Sequence, residues 1–571
     1  MAVPRLRFLC IALASLAAAC AHAPPAPVAP HKRPVVVTVV VDQLAAWIAE
    51  ERLPLLPDTG GFARLRREGV WARDMRYAHA ITETAPGHAS LYTGAPPRDN
   101  GIVCNERLLP GGTPGAVKHR AAILDDAAHR VGRAGIVDEA AASLIDLRAE
   151  PLADRLLRER PNAHVVALSL KDRGSIFAGG HHPTASLWYD TDRDDLMTST
   201  SVAQVIPAWA LAAFDQARAK RPATWERAIP AGKLPSVVID DRPGEASLPG
   251  GTHVFPHVID GPNAVRASPV GDRLVLELAL AAIADASAAP TLLALSLSSN
   301  DYVSHVYGSD SLEAFEELFA LDRALADFMH ALDKRYGADG WAMLLSADHG
   351  STPLPDTPAS ARSWCGDGGA SDRWGRPCSG GHRVSQPGLG AALEQALEAA
   401  FGRKDLLLGV ADPYVYLSDA AHASPSLRAP ILAALERTIR ATPGVAEVFD
   451  TATLPATCPP ISDDSLAALV CRSTSPPDAP PRARSGDLYI VLDPPSFFSG
   501  AETRFGGSHG TPYRFNRAVP LFVRAPGRVA AGAVVDTPLP FSTFVRTAAS
   551  LLGVAPPSAA LPGGTLPTPR R

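Results

Sequence analysis

Four stretches are apolar almost without interruption: Val35–Val41, His164–Leu170, Thr291–Leu297 and Trp341–Leu345. A strand with one wet face alternates polar and apolar residues, so unbroken runs predict strands covered on both faces, as in a parallel sheet. Helical patterns lie between them, at Gly61–Arg67, Pro151–Arg158, Pro207–Lys220, Arg273–Ala286 and Ser311–Arg335. In the last, Leu312, Phe315, Leu318, Phe319, Leu321 and Leu325 follow a period near 3.6, with Glu313, Glu316 and Glu317 on other faces. Strands at Asp487–Leu492 and Val519–Val523 precede a terminal helix around Phe541–Leu552. This alternation predicts an α/β fold, a doubly wound and largely parallel sheet with helices on both faces. Two segments read as insertions at the site rim: 351–386, rich in Gly, Ser, Pro and Arg, and the Pro-rich 451–484.

The chain's 571 residues are 46% hydrophobic and 20% charged, which suits a globular protein. Residues 1–23 read as an export signal, with Arg5 and Arg7 ahead of the apolar run Phe8–Ala19. Two processing sites remain open. Ala17-Ala18-Ala19-Cys20 resembles a lipobox that would put a lipid anchor on Cys20, while Ala21-His22-Ala23 fits ordinary signal cleavage. A Pro/Ala-rich tether follows over 24–34, then a catalytic domain over 35–555 and a Pro-rich tail over 556–571. No later stretch reaches the ~18 apolar residues of a membrane span, so a periplasmic or otherwise exported protein is expected. Losing residues 1–23 takes the formal charge from −5 to −7, which argues against nucleic acid as a partner. In an oxidising compartment, Cys365/Cys378 and Cys458/Cys471, each 13 residues apart, are expected to form local disulfides, leaving Cys104 free.

The chemistry concentrates just past the strand ends. Asp42 follows Val41, Asp301 and His305 follow the run ending at Leu297, and Asp348 and His349 follow the run ending at Leu345; His509 lies in Gly506-Gly507-Ser508-His509-Gly510. In parallel sheets that edge is where ligands bind. Mixed carboxylate and imidazole donors suit zinc better than calcium or magnesium. Six such ligands can hold two metals, which points to phosphoryl or sulfuryl transfer.

Thr84 in Thr82-Glu83-Thr84-Ala85-Pro86-Gly87-His88 is the candidate nucleophile. Pro86 can open a helix, leaving Thr84 at an N-terminus that favours an anion. A Thr hydroxyl needs a metal to become reactive at neutral pH. Asn105 could donate to a phosphoryl oxygen without titrating. Lys171 and Arg173, if extended, point the same way and could neutralise a dianion. His88 reads as structural, and His181-His182, which could suggest another metal site, read as loop residues.

In this order, Asp42, Thr84-Ala85-Pro86-Gly87-His88, Asn105, Lys171-Asp172-Arg173, Asp301…His305, Asp348-His349-Gly350 and His509 resemble the alkaline phosphatase superfamily. The resemblance covers roughly 35–555 and is strongest to phosphate-irrepressible periplasmic alkaline phosphatases, whose nucleophile is Thr. It implies two zinc ions. Asp301, His305 and His509 would hold one, on the leaving-group side; Asp42, Asp348 and His349, with the Thr84 oxygen, would hold the other. It implies a phosphate monoester hydrolase working through a phosphothreonine, with small-molecule monoesters as substrates. Lys171 and Arg173 mark the monoesterase branch, since the related nucleotide pyrophosphatase/phosphodiesterases lack this pair. A phosphodiesterase on the same metals is the first alternative, and a non-catalytic metal-binding envelope protein the second. A sulfatase would need a Cys/Ser-x-Pro-x-Arg maturation motif, which Thr84–His88 does not supply.

Overall fold

The computed structural model describes residues 1, 34–109, 119–230, 232–234, 238–285, 289–357, 362, 364–365, 369–476, 484–500 and 506–569. All of the export signal but Met1, with Cys20 and all but the last residue of the tether, lies outside these.

The strand Val35–Val41 is buried at every position and forms the middle of a large sheet. Leu292–Leu297 and Trp341–Ser346 flank it, both parallel, and Val165–Ser169 and Ala185–Asp190 continue the parallel set beyond Leu292–Leu297. Registers bring Val41 beside Leu297, Val40 beside Ser346, and Ser296 beside Ser169. Four strands therefore finish at one level, and the chain leaving each of them emerges at one edge. Antiparallel strands complete both flanks: Ala518–Arg524 and Val70–Arg76 beyond Trp341–Ser346, and Asp195–Ser199, Leu124–Gly132 and Gly135–Ala142 on the far side. The parallel character predicted from the apolar runs thus holds for the centre, while the flanks are antiparallel.

Helices cover both faces. Ala208–Ala219, Pro269–Ala284 and Leu312–Tyr336 pack together on one side; Thr84–Thr93, Leu152–Glu159, Asp172–Gly179 and Thr543–Leu552 pack together on the other. The long helix departs from expectation in one respect. Glu313, Glu316 and Glu317 are buried, because the preceding segment folds over that face. Glu316 accepts from the Ala228 and Ile229 N–H groups, each at 2.9 Å, and Glu313 lies 2.9 Å from His257 Nε2. A covered polar face leaves no trace in apolar periodicity.

A second, antiparallel sheet pairs Leu407–Ala411, Tyr414–Leu417, Leu488–Leu492 and Val445–Asp450 around its own apolar cluster. Both cysteine pairs, Cys365–Cys378 and Cys458–Cys471, are disulfides, and Cys104 is a buried free thiol. Among the described residues, no helix is long and apolar enough to cross a membrane.

Candidate active site

Asp42 follows its strand directly and is fully buried, with its backbone carbonyl fixed by Asn300 Nδ2 at 2.8 Å. Asp301 and His305 sit one turn apart on the helix Ser299–Tyr307, so His305 Nε2 comes within 3.2 Å of Asp301 Oδ1. Asp348 and His349 follow Trp341–Ser346, and His349 Nε2 lies 3.4 Å from Asp42 Oδ1 and 3.6 Å from Asp348 Oδ2. His509 arrives from far along the chain, with Nε2 3.5 Å from Asp301 Oδ1 and its ring 3.8 Å from that of His349. All six expected ligands therefore converge. Their grouping is less tidy than three plus three. Ligand atoms of Asp301, His305 and His509 fall within 4.8 Å of one another, and so do those of Asp42, Asp301 and His349. Asp301 belongs to both groups, and Asp348 stands beside the second.

The donor set fits metal ions. Each of the three imidazoles uses Nδ1 on a backbone carbonyl: His305 on Gly507 at 3.0 Å, His349 on Gly350 at 3.0 Å, His509 on Thr82 at 2.8 Å. A donor N–H at Nδ1 leaves the Nε2 lone pair facing the cluster, the usual outer-shell arrangement of a metal-binding histidine. Asp42 Oδ1, Asp301 Oδ1, Asp348 Oδ2 and His349 Nε2 are buried with no aligned hydrogen-bond partner. Buried polar atoms are seldom left so, and several facing one another fit ligand positions. Burial, with repulsion from Asp301 and Asp348, pushes the Asp42 carboxyl up to about 6 despite Lys171 and His349. A cation in this cluster would relieve that repulsion.

Thr84 opens the helix Thr84–Thr93, after Glu83 in extended conformation. The segment before it is tied down twice: Thr82 Oγ1 donates to Thr511 O at 2.9 Å, and the Ala80 and Ile81 N–H groups donate to Ser473 Oγ at 2.7 and 3.2 Å. Lys171 Nζ lies 2.6 Å from Asp42 Oδ2, 2.6 Å from Asp301 Oδ2 and 3.2 Å from Thr84 Oγ1. Burial alone would discharge this lysine, but Asp301 and Asp42 outweigh it and hold it above its ordinary value.

Lys171 and Arg173 are not alternate residues of an extended loop. The strand ends at Ser169 and a helix begins at Asp172, whose Oδ1 accepts the Arg173 N–H at 2.7 Å. The two cations consequently differ in what they reach: Lys171 enters the carboxylate cluster, whereas Arg173, which shares one cavity with Lys171, also lines another of about 230 Å³ with Asn105 and Glu83. Asn105 Oδ1 accepts the Ala85 N–H at 2.8 Å, and its own N–H donates to Glu83 Oε2 at 2.6 Å. With its oxygen committed, the amide NH₂ is the group left to face that cavity.

Glu83 escaped sequence reasoning, and His88 makes contacts that it did not foresee. Glu83 holds the Asn105 backbone as just described. His88, read as structural, is fully buried with Nδ1 3.0 Å from Thr84 O and 3.1 Å from Asp348 Oδ2. Its signal was the four-residue spacing from Thr84, which stacks both on one helical face. His181 instead pairs with Asp154 at the surface.

The alkaline phosphatase PhoV of Synechococcus elongatus is 32% identical over 374 residues, which span 62% of this chain and 66% of PhoV, just under two thirds of its length. A protein named calcium-transporting ATPase from Myroides odoratus is 27% identical over 508 residues, 86% of each chain. The crystal structure of wild-type alkaline phosphatase PafA superposes with a TM-score of 0.77 at 23% identity, over 93% of this chain and 98% of that one; this likeness is one of fold. Residues 36–511 match the family described as Type I phosphodiesterase / nucleotide pyrophosphatase, and the chain belongs to that family.

Proposed function

We propose that this protein is an alkaline phosphatase-type phosphate monoester hydrolase that works through a phosphothreonine at Thr84 with two zinc ions. The observation that carries the reading is the meeting of Thr84 Oγ1 with Lys171 Nζ, itself in contact with Asp42 and Asp301. Nucleophile, cation and both ligand groups share one point at the sheet edge. The names of relatives such as PhoV support the monoester reading.

Asp301, His305 and His509 would hold one zinc, and Asp42, Asp348 and His349 the other. When bound, the two ions would supply the positive charge that makes the Thr84 hydroxyl nucleophilic and neutralises the departing oxygen. The chain's own groups then position the ester. Asn105 Nδ2 donates to a phosphoryl oxygen, Arg173 faces the same region, and Lys171 offsets charge beside Thr84. Thr84 Oγ gives its proton to solvent and bonds to phosphorus as the P–O ester bond breaks; the ester oxygen leaves with its electron pair and takes a proton from solvent to become the alcohol. Water then attacks phosphorus, releasing inorganic phosphate and restoring the Thr84 hydroxyl. Helix N–H groups behind Thr84 favour the anionic intermediate.

Phosphodiester hydrolysis is the second reading, favoured by the description of the family. One experiment separates them: kcat/KM for an aryl phosphate monoester, a bis-aryl diester and an aryl sulfate on protein of measured zinc content. Monoester preference with about two zinc per chain is expected; diester preference would overturn the assignment. We also infer export of a single catalytic unit, 35–555, with excursions at 351–386 and 451–484, a reading supported by the two disulfides. Mass spectrometry of the mature N-terminus decides between lipid on Cys20 and plain cleavage.

A further inference from the structure

Beside the ligand cluster, Tyr302, His305 and Val306 of the helix Ser299–Tyr307 border a cavity of about 450 Å³, closed further by Phe497, Phe498 and Leu248. Its volume and mainly carbon lining match a site for a small organic group. The cavity touches His305 but not Thr84, Asp42, Asp348 or His349. If the Asp301, His305 and His509 group serves the departing oxygen, the cavity opens on the leaving-group side. Tyr302 forms the partition, since it also lines a second cavity with Lys171 and Arg173. Lys171 Nζ lies 4.9 Å from the centre of the Tyr302 ring, and the Arg266 guanidinium lies 4.5 Å from it. One face of the Arg266 guanidinium thus rests on Tyr302, and since among the described residues Arg266 pairs with no carboxylate, the other face is left for stacking.

We propose that this cavity receives the alcohol portion of the substrate and selects phosphate monoesters whose alcohol carries an aromatic ring. The inference rests on the monoesterase reading above. Phosphate contacts at Thr84, Asn105 and Arg173 are common to every monoester, so discrimination has to come from the departing group. Phe498, Tyr302 and Arg266 supply ring faces and a flat cation for it.

The test compares 2-naphthylmethyl phosphate with methyl phosphate. Their alcohols are of similar acidity, so the comparison reads binding more than bond strength. Wild-type protein is expected to favour the naphthyl ester in kcat/KM by about 10- to 100-fold, from roughly 100 Å² of buried ring surface. Phe498→Ala and Leu248→Ala, which alter separate lining residues, should each shrink that ratio at least about fivefold. The non-hydrolysable 2-naphthylmethylphosphonate should bind wild type more tightly than methylphosphonate, with a smaller gap in Phe498→Ala. A wild-type ratio near one, or a ratio unchanged in both variants, overturns the inference while leaving the monoesterase reading intact. No turnover of either ester overturns both.

Discussion

Gly87, three residues after Thr84 in the helix Thr84–Thr93, has no room for a side chain. A Cβ there would lie 2.3 Å from Asp348 O and 2.8 Å from both Asp348 C and Asp348 Cβ. Non-bonded carbon contacts settle near 3.5 Å, so Gly87→Ala forces the helix and the Asp348–His349 turn apart by roughly 1 Å. Thr84 moves with its helix. A displacement of that size at a reacting atom costs on the order of 10²-fold in rate. Stability should change much less, because about 1–3 kcal/mol of overpacking strain is partly offset by up to about 1 kcal/mol of helix propensity. Monoester kcat/KM, read beside thermal unfolding, makes the assay. Gly390→Ala is the control: it lies in the helix Gln386–Phe401, and its nearest neighbour would be Val410 Cγ2 at 4.0 Å. That variant should keep full activity. Gly87→Ala within about threefold of wild-type kcat/KM would refute the argument, since a tenfold loss is only ~1.4 kcal/mol. A variant that no longer unfolds cooperatively would also refute it, because the cost would not be local.

Removing Lys171 and Arg173 together should lower monoester kcat/KM by roughly 10²-fold or more, at about 1.5–3 kcal/mol per charge-assisted contact; diester turnover should fall far less, and equal losses would show that the pair does not select monoesters. His79 gives a pH signature. It is buried, with Nδ1 2.7 Å from Ile81 O, and burial lowers its pKa from 6.5 to about 3. Between those values the unfolded chain holds the extra proton, so this contribution is complete above pH 6.5 and declines as pH falls toward 3. His79→Gln should flatten the acid slope of unfolding free energy by up to about 1.4 kcal/mol per pH unit. Parallel slopes for the two proteins over pH 4–6.5 would contradict this.

The centre of the fold was legible because burial on both faces writes itself as uninterrupted Val, Leu and Ala, and the strand ends could be read from Asp42, Lys171 and Asp348. The Asp301/His305 pair was legible from its place just past the run ending at Leu297. What stayed hidden depends on partners remote in sequence. Asp301 stands between two ligand groups only because the strands before Asp42 and Asp301 are neighbours in register. His88 reaches Asp348, 260 positions away, through close packing at Gly87. The helix beginning at Asp172 replaced an expected extended loop, since strand propensity says little about where a run stops. Most of the second sheet was missed for a similar reason. Its strands are short, and Leu488–Leu492 pairs with Val445–Asp450 and Tyr414–Leu417 across long intervening segments.

The central claim is that Thr84 carries the phosphoryl group. Zinc-loaded protein mixed with a monoester, quenched within one turnover in acid and digested, should yield a peptide bearing one phosphoryl group on Thr84. Thr84→Ala should show none, turn over more slowly by orders of magnitude, and keep its zinc. A wild-type rate in Thr84→Ala, or phosphate found on another residue, would contradict the account.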